Sequence, residues 1–240
     1  MWPYGEVRDT DSVFEKEKQL GETSSVRADY ILTSQETNIL VVEEAKSQGV
    51  TAFNVPVPTI YGRGTGVEKK LSASIPAYIR TSIKNKTVHK FEKDSRPPAA
   101  HISDMTDFYV RLVDKILRKE SIPSGENGYY FVMAHRIPWW TVMQRIADGL
   151  HARGLVEDPR VQVWSSYETA AEQLGFPPQH VKAMGTCDVH VIPVNAFRLG
   201  WQPQWDEKRF LGSIDDEIQA VQELDTFKPT IFDAIMPSKN

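Results

Sequence analysis

The chain has 240 residues, 40% hydrophobic and 25% charged, with a formal net charge of −4 and one cysteine. That length is ample for a buried core, and the mild negative charge gives no general electrostatic reason to expect nucleic acid or an anionic membrane as partner. Cys187 has no second cysteine to pair with, which suits a reducing compartment, so a cytoplasmic location is expected.

The opening, Met1-Trp2-Pro3-Tyr4-Gly5-Glu6, has neither a positive n-region nor an apolar h-region, so no secretory leader is expected. The longest apolar runs fall far short of the ~20 residues of a membrane span. Residues 1–24 read as a polar lead-in carrying the charged run Glu15-Lys16-Glu17-Lys18. A helix is predicted over residues 25–48: Ser25 is a good cap, Tyr30, Thr33, Thr37, Leu40 and Val41 recur at helical spacing, and Gly49 supplies the stop. Residues 50–57 are mostly apolar and suit a buried strand with Pro56 near its end.

A glycine-rich loop follows, Pro58-Thr59-Ile60-Tyr61-Gly62-Arg63-Gly64-Thr65-Gly66. It reads either as a turn between strand and helix or as a cradle of backbone N–H groups for a phosphate. A helix from Ser74 buries Ile75, Tyr78, Ile79 and Ile83 and holds Pro76 in its first turn. Ala99-Ala100-His101-Ile102 is a strand candidate. It leads into a helix capped by Ser103 or Asp104, whose apolar positions are Met105, Phe108, Tyr109, Leu112, Val113, Ile116 and Leu117. Residues 129–133 form another strand candidate. Pro138 then opens a helix with Trp139, Val142, Met143, Ile146 and Leu150 inward. Residues 154–212 carry short helical pieces, and Ser213 starts a last helix in which Ile214, Ile218, Val221 and Leu224 face inward while Asp215, Asp216 and Glu217 complement the helix dipole. Strands alternating with helices predict an α/β fold with a small sheet.

There is no Walker loop, HExxH helix, GxSxG elbow or CxxC pair, so the chemistries that use them have no support. Cys187-Asp188-Val189-His190 offers two metal ligands without a second pair, and no metal site is expected.

Taken in order, several segments resemble the extended short-chain dehydrogenases/reductases of the NAD-dependent epimerase/dehydratase family, fungal-type members especially. Tyr61-Gly62 stands where that family's substrate-loop Tyr-Gly stands. His101-Ile102-Ser103-Asp104 is similar to its His-Val-Asp-Asp segment, and Leu199-Gly200-Trp201-Gln202-Pro203 to its late Gly-Trp-x-Pro signature. The resemblance covers residues ~25–225 and only the family's C-terminal portion. The GxxGxxG stretch that opens family members does not occur in this sequence, so a shortened member is expected.

The resemblance implies a partial Rossmann-like fold, with residues 25–135 in the dinucleotide-binding part and residues 136–240 in a mostly helical substrate lobe. It implies NAD or NADP as cofactor, a small-molecule carbonyl or alcohol as substrate, a role in secondary metabolism, and a homodimer through the helix at 25–48. By position Tyr30 is the family's proton-exchanging tyrosine, but Ser34 stands where its lysine would be, and a serine cannot stabilise a phenolate; Arg27 lies about one turn away. Val57, Pro58 and Thr59 inherit the cofactor contact, and Tyr61, Arg63 and His101 the substrate side. The competing expectation is a truncated, non-catalytic protein that binds a partner or ligand.

Overall fold

The computed structural model describes residues 49–66, 70–178, 181–182, 185 and 187–224. The lead-in, the helix predicted over 25–48, and Arg27, Tyr30 and Ser34 lie outside the described residues. The expected mixed α/β organisation is observed. Among the described residues, short strands run Thr59–Tyr61 (β1), His89–Lys90 (β2), Pro98–His101 (β3), His135–Arg136 (β4) and Gln162–Val163 (β5). The α-helices described are Ser74–Asn85 (α1), Ile102–Leu117 (α2), Trp139–Ala152 (α3), Tyr167–Leu174 (α4), Val194–Arg198 (α5), Glu207–Gly212 (α6) and Ile214–Leu224 (α7).

The central sheet has the order β1-β3-β4: β1 is parallel to β3, with Tyr61 opposite His101, and β4 is antiparallel to β3. A second, two-stranded parallel sheet joins β2 to β5. The strand predicted over 50–57 is corrected. That run carries one isolated parallel bridge, Asn54 with Tyr129, and the regular strand begins at Thr59. Asn54 donates its N–H to the Gly128 carbonyl (2.8 Å) and accepts from the Tyr130 N–H (2.7 Å). Alternate residues address the same neighbour in a ladder, so the next donors along that edge belong to positions 56 and 58. Both are proline, and the pairing stops. For the same reason residues 129–133 are not a regular strand; the pairing on that segment moves to His135–Arg136.

Two buried clusters form the core. The larger joins α1, α3 and α7 through Ile75, Tyr78, Ile79, Trp139, Val142, Met143, Ile146, Leu150, Ile214, Ile218 and Val221. α3 buries every residue its periodicity predicts. Its Gly149 lies under α7, where a Cβ would press 2.7 Å from Ile218 Cδ1, so the two helices approach closely. The smaller cluster seats α2 on α5 through Met105, Phe108, Leu112, Tyr130, Ala196, Leu199 and Trp201. Here the prediction is corrected in part: α2 buries Met105, Phe108 and Leu112, whereas Tyr109, Val113, Ile116 and Leu117 are exposed. The hydrophobic spacing marks the helix, but its apolar stripe is wider than the surface that covers it.

Of the helix termini, the cap expected for α2 is corrected. α1 has Ala73 before it and no side-chain cap. α2 is capped by the His101 ring, which accepts from the Ser103 N–H. Ser213 closes α6 and donates its hydroxyl to the Phe210 carbonyl (2.9 Å). Among the described residues no helix is long and apolar enough to cross a membrane.

Candidate functional site

The parallel pairing of β1 with β3 brings the two family-like segments into contact, because it sets Tyr61 beside His101 at the ends of their strands. Tyr61 is fully buried. Its ring lies 4.4 Å from that of Phe210 and meets His101 (5.4 Å), His135 (5.5 Å) and Trp205 (6.1 Å) edge-on, an arrangement aromatic rings favour.

The proton positions follow from the partners. His135 Nδ1 lies 3.2 Å from the Arg136 carbonyl, which only accepts, so Nδ1 carries the hydrogen. In the neutral ring Nε2 then accepts, and Tyr61 donates to it across 2.8 Å. Burial holds the His135 pKa below its ordinary value, which keeps the ring neutral. Burial, with smaller contributions from the Asp104 and Glu217 charges, raises the Tyr61 pKa well above that of a free phenol. The Tyr61 hydroxyl therefore keeps its proton at neutral pH and serves as a fixed donor.

His101 has the opposite tautomer. Its Nδ1 accepts from the Ser103 N–H (3.1 Å), with the Ser103 hydroxyl 2.7 Å away, which leaves the hydrogen of the neutral ring on Nε2. Burial lowers its pKa as well. The ring lies flat on Trp205 at 3.8 Å with an 8° interplanar angle, and the Arg209 guanidinium lies 4.0 Å from the centre of the same indole. Trp205 is held by Asp104, a buried carboxylate that accepts the N–H groups of Gln204 and Trp205, both at 3.0 Å. The Asp104 carbonyl also accepts the Trp201 indole N–H at 2.8 Å. The His101-Ile102-Ser103-Asp104 and Leu199-Gly200-Trp201-Gln202-Pro203 segments thus form one hydrogen-bonded unit.

The glycine loop is a turn. Gly62 has φ +92°, and a Cβ there would fall on the His101 ring, so only glycine fits. The phosphate-cradle reading loses two of its donors: Gly62 N–H goes to Glu217 Oε1 (2.7 Å) and Gly64 N–H to the Lys70 carbonyl (2.8 Å). Glu217 is 5% exposed, and its burial raises its pKa. The expectation that it merely complements the α7 dipole is corrected, since its carboxylate clamps the Tyr61-Gly62 turn from 155 positions away.

The remaining predicted residues are spread around this unit. Val57 is half exposed, Pro58 and Thr59 are half-buried, and Arg63 is exposed in an ion pair with Glu223 at 2.9 Å. Sequence reasoning missed His135, Trp205, Phe210 and the clamping roles of Asp104 and Glu217. For Glu217 a signal existed, because positions 214, 217, 218 and 221 share one helical face. No group of three metal-ligating side chains occurs among the described residues. A cavity of about 350 Å3 beside residues 49–52 and 124–127 contains none of the predicted site residues.

No protein-family model matches the chain, and no curated protein does. Solved structures match in shape. UDP-glucose 4-epimerase of Thermotoga maritima, solved with UDP-glucose, aligns with a TM-score of 0.52 at 11% identity, over 81% of this chain and 53% of that one. dTDP-glucose 4,6-dehydratase of Bacillus anthracis, in complex with NAD, gives 0.52 at 11% identity over 82% and 53%. L-threonine dehydrogenase of Phytophthora infestans gives 0.50 at 14% identity over 80% and 55%. The chain spans about half the length of these enzymes. At such identities the likeness is one of fold, the Rossmann-like fold of the extended short-chain enzymes that the sequence motifs resemble.

Proposed function

We propose that this chain forms the nicotinamide- and substrate-facing part of an NAD(P)-dependent oxidoreductase, epimerase or dehydratase of the extended short-chain type, acting on a carbonyl or alcohol carbon of a small molecule. The observation that carries this reading is the Tyr61-Gly62 turn seated on His101 and on the 199–205 segment, within a fold matched by such enzymes over about four-fifths of the chain. Two structures of matching fold are complexes with NAD, the Bacillus anthracis dehydratase and a Thermus thermophilus UDP-glucose 4-epimerase, which supports NAD or NADP here.

In this reading Val57, Pro58 and Thr59 would line the nicotinamide, which when bound would supply hydride transfer at the substrate carbon. Tyr30 exchanges the proton with the substrate oxygen. Ser34, four positions on, offers no cation to stabilise its phenolate. Arg63 faces solvent and can trade Glu223 for a substrate carboxylate or phosphate. Tyr61 works from inside, fixing His135, while His101 Nε2–H borders the turn. A substrate lobe over 136–240, a homodimer through 25–48, a place in secondary metabolism and a cytoplasmic location belong to the same proposal.

NADH or NADPH added to the 15N-labelled full chain tests it: the Val57 and Thr59 amide resonances should shift saturably. Binding that leaves both amides unmoved would remove them from the cofactor site.

A further inference from the structure

Two uncovered features of the fold lie on the same side of it. The first is a backbone edge at residues 51–55. The Ala52 carbonyl accepts from the Gly125 N–H (2.9 Å), and Asn54 bonds Gly128 and Tyr130 through its N–H and its carbonyl. In a trans peptide the N–H and C=O point opposite ways, and no cis peptide occurs among the described residues. Phe53 N–H, Phe53 C=O and Val55 N–H therefore point away from the 125–130 segment, and among the described residues none of the three has a hydrogen-bond partner. Natural sheets blunt such an edge with charges or prolines. Here Pro56 and Pro58 fall on the paired side, and residues 49–62 carry no charged side chain.

The second feature is the exposed apolar flank of α2, formed by Tyr109, Val110, Val113, Ile116 and Leu117. α2 lies over the edge segment and its neighbour together, because the Phe108 ring meets Tyr130 (5.9 Å) and Tyr130 meets Phe53 (6.2 Å). Its other flank meets the 199–205 segment: Asp104 holds Gln204 and Trp205 there, and a Cβ on Gly200 would lie 3.5 Å from Arg111 Nη1. α5, which leads into that segment, is tied to the 127–129 stretch, since the Asn195 amide donates to the Asn127 and Tyr129 carbonyls, both at 2.9 Å. The 199–205 segment thus sits on the paired side of residues 51–55. With 3.6 residues per turn, the apolar flank of α2 falls on the open side.

We infer that this side of the fold is a self-association surface, occupied by a second copy of this chain. Phe53 lies antiparallel opposite Phe53 of the second copy, each N–H donating to the other's carbonyl, and each Val55 N–H reaches the other's Thr51 carbonyl. The twofold axis stands normal to the sheet, so both α2 helices stay on one face and their apolar flanks meet across the seam. Two observations select an identical partner. A twofold contact sets like beside like, which an uncharged edge and an uncharged helix flank tolerate. The charges beyond the flank are already paired within α2, Arg111 with Asp107 and Arg118 with Asp114. Such a contact is isologous and closes at two copies. It does not rest on the nicotinamide reading, and it is distinct from a dimer through residues 25–48.

Sedimentation velocity of the full chain over a concentration series tests it. The parent should pass from monomer to dimer as concentration rises. Val55→Pro deletes one donor per copy without touching the Asn54 bonds, and should raise the dimer dissociation constant about tenfold or more, the worth of two hydrogen bonds. Val113→Lys, a change at an exposed position, sets like charges across the helix seam and should weaken the dimer more at low salt than at high. In hydrogen exchange the Phe53 and Val55 amides should be slow where the dimer prevails and fast on dilution. Three results would overturn the proposal: a monomer at every concentration, which would leave the edge to a different polypeptide; a dimer as tight in Val55→Pro and Val113→Lys as in the parent; or assemblies that grow without closing at two.

Discussion

Replacing Glu217 separates two contributions that its burial combines. Its carboxylate is a poor guest in the core, since desolvation raises its pKa, yet it is also the acceptor for the Gly62 N–H at 2.7 Å. Glu217→Gln keeps an oxygen acceptor and removes the charge. Glu217→Leu removes both and leaves a backbone donor unpaired, a cost of about 1–3 kcal/mol. The Leu variant should therefore melt below the Gln variant, by roughly 2–4 °C for each kcal/mol in a chain of this size. The sign of the pH effect follows from linkage. A carboxyl whose folded pKa lies above its unfolded value of 4.5 binds the proton more tightly when folded, so its contribution to stability declines as pH rises from about that value through the folded pKa. Other carboxylates, Asp158 and Asp215 among them, have lowered pKa values and act in the opposite sense. The informative quantity is therefore the difference between the Gln variant and the parent, from urea denaturation at several pH values. It should grow in favour of Gln as pH rises and then level off. Equal stability of the Gln and Leu variants would refute the clamp, and a Gln-to-parent difference that stays flat with pH would refute the raised Glu217 pKa.

Gly62→Ala should destabilise the chain by more than about 1 kcal/mol in the same assay and change Trp205 fluorescence, because the added Cβ displaces the His101 ring from its stack. Asp104→Asn keeps one oxygen acceptor but turns an amide NH2 toward the second of its two backbone N–H donors, a cost of about 1–3 kcal/mol that thermal melting would read. His101 and His135 are held neutral by burial, with folded pKa values below the ordinary 6.5. Their unfolded forms take up protons first, so stability should fall as pH drops below about 6.5; a double His→Gln variant should lose that part of the slope.

Some of this architecture is legible in the sequence. α3 follows from the spacing of Trp139, Val142, Met143, Ile146 and Leu150, since one uninterrupted face meets one continuous core. α2 is equally periodic, but periodicity cannot tell how much of a stripe has a neighbour, and Tyr109, Val113, Ile116 and Leu117 are left outside. The apolar content of residues 50–57 suggests a strand, although Pro56 and Pro58 both fall on the edge that would donate. The site divides in the same way. Tyr61, Gly62, His101 and the 199–203 segment stand out because each lies in a short motif. His135, Trp205 and Glu217 do not, because the contacts they make span 74 to 155 positions, which no local pattern encodes.

Nicotinamide fluorescence of NADH and NADPH with the purified full chain reads out whether this fold binds a nicotinamide cofactor. A saturable change with at least one of the two is expected within millimolar concentrations. No change with either, from a chain whose thermal melt shows it to be folded, would contradict the enzymatic reading.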